Sequence, residues 1–172
     1  WGMNVEAPIA VTSGGGKFVF DDDQEVPDTQ IVTWEFPSAC LVWEHRMWSK
    51  QGLGNDSFGV AFHGAKGTLL IDGKGWRVID GDEKTTASGK PNDGQSRHIA
   101  NFLSCVKSRE TPNADIEIGH LSTRLCHLGN IAYRLGVKLS FDPTTETCPK
   151  HPEATALLGR EYNPKFEMPS RV

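Results

Sequence analysis

The stretch GTLLIDGKGWRVID, residues 67–80, decides the fold class. Residues 67–72 and 76–80 are two β-branched and apolar runs on either side of Gly73-Lys74-Gly75. Asp72-Gly73 between two such runs is a hairpin signal, and glycine is expected to supply the positive φ that a tight turn requires. A chain that reverses in so short a turn pairs antiparallel, because a parallel neighbour needs a crossover of about a dozen residues or more.

The pattern extends toward the N-terminus. Phe58, Val60 and Phe62 alternate with Gly59, Ala61 and His63, and residues 40–48 have strand composition. In residues 29–36, Gln30, Val32, Trp34 and Phe36 fall on one side and Ile31, Thr33 and Glu35 on the other, a period of two that Pro37 ends. Residues 8–12 form a short run stopped by Ser13-Gly14-Gly15-Gly16, residues 17–20 resume in extended form, and a polar loop follows at 21–28. No helical pattern interrupts these strands.

The C-terminal half reads as helices. Asn92-Asp93 offers an N-cap; Ile99, Phe102, Leu103 and Val106 then recur at helical spacing, with an end near Arg109 ahead of Thr111-Pro112. A longer helix is expected over 118–135, its stripe formed by Leu121, Leu125, Leu128, Ile131, Ala132 and Leu135 and its stop at Gly136. Residues 138–141 read as extended, and 151–162 as a third helix with Pro152 in its first turn. Strands followed by helices give an α+β class: one large, mostly antiparallel sheet with helices on one face. Trp34, Trp43, Trp48 and Trp76 all fall in strand-like segments, so the other face is expected to stay open for contact with a second subunit or domain.

Composition bounds the function classes. Among 172 residues, 18 are Lys or Arg and 22 are Asp or Glu, giving a net charge of −4 with the basic residues scattered singly. That is no electrostatic footprint for nucleic acid. No apolar run approaches the roughly 20 residues that span a bilayer. Cys40, Cys105, Cys126 and Cys148 are too few and too dispersed for a disulfide scaffold. The first residue is Trp1 and the first methionine Met3, so the chain is expected to be a piece of a longer protein.

Taken in order, the motifs resemble a known family. His98-Ile99-Ala100-Asn101-Phe102-Leu103 followed by Arg109-Glu110-Thr111-Pro112 is similar to the helix and turn of the C-terminal domains of Gfo/Idh/MocA oxidoreductases. Ala114 to His120 leading into Leu128-Gly129-Asn130-Ile131-Ala132 resembles that domain's next helix, and Gly64-Ala65-Lys66-Gly67-Thr68-Leu69 resembles its hairpin. Val11-Thr12-Ser13-Gly14-Gly15 with Asp22 to Thr29 resembles a bacterial branch. The likeness spans essentially the whole chain. It implies that residues 1–172 are a single substrate and oligomerisation domain whose parent carries an N-terminal Rossmann domain binding NAD or NADP. It implies a sugar or polyol substrate and a homo-oligomer. The family's glycine-rich dinucleotide turn and its Glu-Lys-Pro segment do not occur here: Glu83-Lys84 precedes Thr85, and Lys90-Pro91 follows Gly89. The expectation is therefore no catalytic, cofactor-binding or metal residue within this chain, with a stand-alone binding or scaffolding module as the alternative. The compartment stays open between cytoplasm and periplasm.

Within the chain, Glu44, His45, Arg46 and Trp48 form the candidate substrate-binding cluster. Charged donors and an aromatic wall suit a polyol. Strand alternation would put Glu44, Arg46 and Trp48 on one face and His45 on the other; the competing reading is a salt bridge on an exposed or subunit-facing sheet. Other features read as ordinary structure. Gly14-Gly15-Gly16 lacks the following helix that a phosphate cradle needs. Asp21, Asp22, Asp23 and Glu25 lack the glycine turn and distal glutamate of a calcium loop. Cys126-His127 and Cys148-x-x-His151 fall short of a zinc set, and Ser104-x-x-Lys107 has none of its companion acylase motifs. His63 and His98 read as structural.

Overall fold

The computed structural model describes residues 2–53, 56–160 and 162–166. In chain order it contains β1 (Ala10–Gly16), β2 (Thr29–Phe36), β3 (Ala39–Arg46), β4 (Gly59–Gly64), β5 (Gly67–Asp72), β6 (Gly75–Ile79), β7 (Thr85–Gly89), α1 (Gly94–Ser108), α2 (Ile116–Leu135), β8 (Leu139–Ser140) and α3 (Pro152–Ala156), followed by a 3-10 turn at Pro164–Phe166. The class is α+β and every strand pairing is antiparallel, as the hairpin signal required. The strands divide between two four-stranded sheets, ordered β3-β2-β1-β8 and β4-β5-β6-β7. Two compact units follow from this: described residues up to Arg46 together with those from Ile116 onward, and Met47–Asp115.

The first unit holds the hydrophobic core. In β2 the even positions Gln30, Val32, Trp34 and Phe36 are buried, while Ile31 and Glu35 are exposed. The buried side meets α2. Val11, Val32, Trp34 and Phe36 pack with Leu128, Ile131 and Ala132, and Leu139, Phe141, Cys148 and Ala154 complete the cluster. Each large side chain taken out of water contributes roughly 1.5–3 kcal/mol. Helix and sheet meet closely because residue 129 has no side chain: a Cβ there would stand 3.0 Å from Val32 Cγ1 and 3.2 Å from Trp34 Cζ2. The indole N–H of Trp34 donates to the Leu125 carbonyl at 3.1 Å, so burying it leaves no polar atom unpaired. Gly136 stops α2 in the left-handed conformation (φ 65°), as read from sequence.

The second unit contains the Asp72-Gly73 hairpin, and its turn works differently from the expectation. Asp72 and Gly75 pair across a Gly73-Lys74 turn, yet Gly73 is not the residue with positive φ; Gly75 is (φ 128°). The turn is held by the Asp72 carboxylate, which accepts from the Lys74 amide at 2.9 Å and from Arg77 at 2.6 Å. Glycine is needed two positions later because a Cβ at Gly75 would come 2.0 Å from the Gly89 carbonyl oxygen on β7. β7 is a strand that the sequence pattern did not announce. The Asn101 side chain of the resemblance motif is structural as well. Its Oδ1 accepts from the Asn113 amide at 2.8 Å and fixes the turn after α1. Asp93 caps α1 through Ser96, and Arg109 ends it in the left-handed region (φ 64°).

Several expected boundaries move. β1 runs through the glycines instead of stopping at them. Residues 17–20 form a bend, not a strand. β3 ends at Arg46, two residues short of the expected 48. α3 covers Pro152–Ala156 only, with Pro152 in its first turn as expected.

Candidate functional site

One end of the first sheet gathers polar side chains on the face that carries α2. Directly paired residues of an antiparallel ladder share a face. The partners of buried Gln30, Val32, Trp34 and Phe36 are His45, Trp43, Leu41 and Ala39, so these four β3 residues point to the helix side. Glu44 and Arg46 point the other way. The alternation read from sequence is thus present for Glu44, Arg46 and His45. Trp48 lies beyond the end of β3 and falls in the second unit, so the strand alternation does not extend to it. The four candidates therefore do not share one face of one strand. The structure joins Glu44 to Arg46 by an ion pair of 2.9 Å between half-exposed side chains. Such a pair contributes about 0.2–1 kcal/mol.

His45 has a different partner, which the sequence reading missed. The Trp43 indole donates to His45 Nδ1 at 3.1 Å, and His45 Nε2 lies 3.2 Å from the Pro27 carbonyl oxygen. An indole N–H can only donate and a carbonyl can only accept. The imidazole proton therefore sits on Nε2, which donates to Pro27. Both ring nitrogens are engaged, so His45 orients its neighbours and has no free lone pair for proton abstraction in this arrangement. The two rings meet edge to face, with centroids 6.4 Å apart and planes at 68°. Beside them Gln30 Nε2 donates to the Ser13 hydroxyl at 3.0 Å.

The 17–28 segment that supplies Pro27 is held by Asp28. This buried carboxylate accepts from the amides of Phe18, Val19 and Phe20 at 2.8–3.2 Å and from the Thr29 hydroxyl at 2.8 Å. Burial alone would raise its pKa; the hydrogen bonds from Phe20, Val19, Thr29 and Phe18 outweigh burial and hold the carboxyl well below the usual carboxylate range. Asp28 binds protons less readily folded than unfolded. Its contribution to stability is complete above the unfolded pKa of about 3.9 and is lost as pH falls through the lower folded value. Asp28→Asn is expected to lower the melting temperature at neutral pH and to shrink the difference between neutral and acidic melts; thermal unfolding followed by circular dichroism across that range checks both.

The remaining sequence features resolve into structure. Lys17 is paired with Asp22, whose carboxylate also accepts from the Gln24 amide at 3.0 Å. Cys148 is fully buried, and burial pushes its thiol pKa up. His151 pairs with Glu153 at 3.0 Å. Among the described residues no three His, Cys, Asp or Glu side chains are grouped to hold a metal ion.

A model of the oxidoreductase family's C-terminal alpha/beta domain matches residues 54–168. The chain belongs to this Gfo/Idh/MocA oxidoreductase family. No curated protein sequence gives a significant match. Solved structures of the same fold include YvaA from Bacillus subtilis, described as a candidate oxidoreductase, at 11% identity and TM-score 0.61 over 79% of this chain and 46% of that one. An oxidoreductase from Agrobacterium radiobacter, in complex with NAD+, L-tartaric acid and magnesium, follows at 10% identity and TM-score 0.56 over 80% and 44%. The WlbA dehydrogenase from Bordetella pertussis, in complex with NADH and UDP-GlcNAcA, matches at 14% identity and TM-score 0.50 over 79% and 39%. The Gfo/Idh/MocA chain described here thus spans less than half the length of each of these proteins. Two features of the chain that could suggest an anion site have structural roles instead. Gly14-Gly15-Gly16 lies inside β1, where a Cβ at Gly15 would come 2.2 Å from the Thr29 carbonyl oxygen, so the glycine serves strand contact. At the start of α1 the Asp93 carboxylate already occupies the Ser96 amide, placing negative charge where a phosphate would bind.

Proposed function

We propose that residues 1–172 act as the substrate-binding and assembly domain of an NAD(P)-dependent oxidoreductase that acts on a sugar or polyol. The family match over 54–168 carries this reading. In the parent, an N-terminal Rossmann domain binds NAD or NADP and supplies hydride transfer; this chain supplies the outer part of the substrate pocket and takes no catalytic step alone. The complexes of the Agrobacterium and Bordetella proteins, with NAD+ and with NADH and a nucleotide sugar, support the cofactor and substrate class. The open face of the first sheet, where Ile31 and Val42 stand exposed, supports a homo-oligomer.

Glu44, His45 and Arg46 of the first unit, and separately Trp48 of the second, are the substrate-side candidates of this proposal, with unequal roles. Glu44 and Arg46, on the face opposite His45, offer acceptor and donor to hydroxyl groups at the free edge of β3 and must exchange their mutual ion pair for that purpose. His45 orients and does not shuttle a proton. Trp48, in the second unit, offers an aromatic surface. The test is dinucleotide binding. The full-length gene product is expected to bind NADH saturably and residues 1–172 to bind none, measured by nicotinamide fluorescence. Saturable binding to residues 1–172 alone would sink the reading.

A further inference from the structure

We propose that Trp43, held by His45 and the Pro27 carbonyl, is the stacking wall for the substrate's carbon ring, a role that rests on the sugar or polyol reading above. Three observations carry it. Trp43 is 55% exposed, although it sits on the face of the first sheet that packs the core. Its one polar atom is already spent, because the indole N–H donates to His45 Nδ1. The imidazole meets it at 68°, at the ring's edge, and leaves the π face uncovered by that neighbour.

A large aromatic side chain that is open to solvent gains little from being fixed, and fixing it costs side-chain entropy. Here two hydrogen bonds in series fix it, indole to imidazole and imidazole to carbonyl. What they hold in place is a flat, electron-rich face with no donor left to offer. Such a face attracts the positively polarised C–H groups of a pyranose or cyclitol ring, by the same quadrupole that favours edge-to-face aromatic contacts. On the same face, in one cross-strand row with Val32 and Trp43, stands Ser13, whose hydroxyl accepts from the buried Gln30 amide at 3.0 Å and keeps its own O–H to donate to a hydroxyl partner. His45 is then a positioning residue that acts through Trp43.

The experiment is an NMR titration of the chain with D-glucose and with myo-inositol as probes, following the Trp43 indole N–H, and then of the variants Trp43→Ala, Trp43→Phe and His45→Ala. Expected are saturable shifts at Trp43 with at least one probe. Binding should weaken about three- to tenfold in Trp43→Ala, the range of one aromatic contact, and less in Trp43→Phe, which keeps a ring. His45→Ala keeps the indole and is expected to weaken binding while leaving the core resonances in place, which a merely structural loss would move. Neither probe reaching Trp43, or Trp43→Ala binding as tightly as the parent chain, overturns the proposal. So does a Trp43→Ala variant that changes only the oligomer's mass. The titration needs no cofactor. A full-length enzyme that turns over sugars with an unchanged KM in Trp43→Ala would therefore remove this proposal and leave the oxidoreductase reading intact. Trp43-dependent sugar binding without any turnover would do the reverse.

Discussion

Trp34→Ala is expected to cost the first unit about 3–5 kcal/mol, measured as a lower urea midpoint with an unchanged denaturant slope. Trp34 is 5% exposed and lies where β2 meets α2. Removing it takes away the largest side chain in the cluster and leaves a cavity that helix and sheet cannot both collapse into. Gly129 has already brought them to within 3.2 Å of an added atom at the Trp34 ring. The Leu125 carbonyl also loses its indole donor. Trp34→Phe separates the terms, since it keeps most of the ring volume and loses the hydrogen bond, which contributes about 0.5–1.5 kcal/mol. Against a total stability of about 5–15 kcal/mol for a domain, the alanine variant should be near its unfolding limit at growth temperature. A cost near that of an exposed substitution would contradict the packing described for this core.

The second large effect concerns a charge pair. Arg124 is 8% exposed; its Nη1 meets Glu146 Oε1 at 2.6 Å, its Nη2 donates to the Glu6 carbonyl at 3.1 Å, and its guanidinium lies 5.0 Å from the Phe141 ring centre. Its buried Nε has no hydrogen-bond partner among the described residues. Glu146 also accepts from His120 at 2.8 Å, and His120 and Arg124 together hold its carboxyl below the ordinary range. Removing one partner of a buried pair costs about 3–5 kcal/mol, mostly because the other charge is left buried and alone. Glu146 is 47% exposed, so water can partly replace it and the cost of Glu146→Ala should fall at the low end of that range. Arg124→Met removes the buried charge itself and keeps its volume, so it should cost less than Glu146→Ala. Urea midpoints of the two variants check the order; the reverse order would mean that the guanidinium is stabilising for reasons other than its pairing.

Legibility followed sequence distance. The hairpin at Asp72-Gly73 and the end of α2 at Gly136 were readable because each depends on residues beside it. The glycine requirement at position 75 was not, since it arises from the Gly89 carbonyl on a strand, Thr85–Gly89, whose small polar residues give no strand signal. The division into two sheets was hidden for a similar reason: period two marks a strand but not its partner. At the candidate site, the faces of Glu44, His45 and Arg46 follow from alternation alone. Trp43 sits two residues before His45 and was available by the same rule. What ties the pair down is a carbonyl 18 residues away, which has no side-chain signature. The Arg124 site joins residues 22 and 118 positions apart, and no local pattern foretells it.

Hydride transfer by the full-length gene product, followed through the near-ultraviolet absorbance of reduced nicotinamide against a panel of sugars and polyols with NAD and with NADP, tests the central claim most directly. The account predicts substrate-dependent reduction of one cofactor by the full-length protein and none by residues 1–172 alone. Turnover by residues 1–172 without any further domain, or a full-length protein that reduces neither cofactor with any member of the panel, would contradict it.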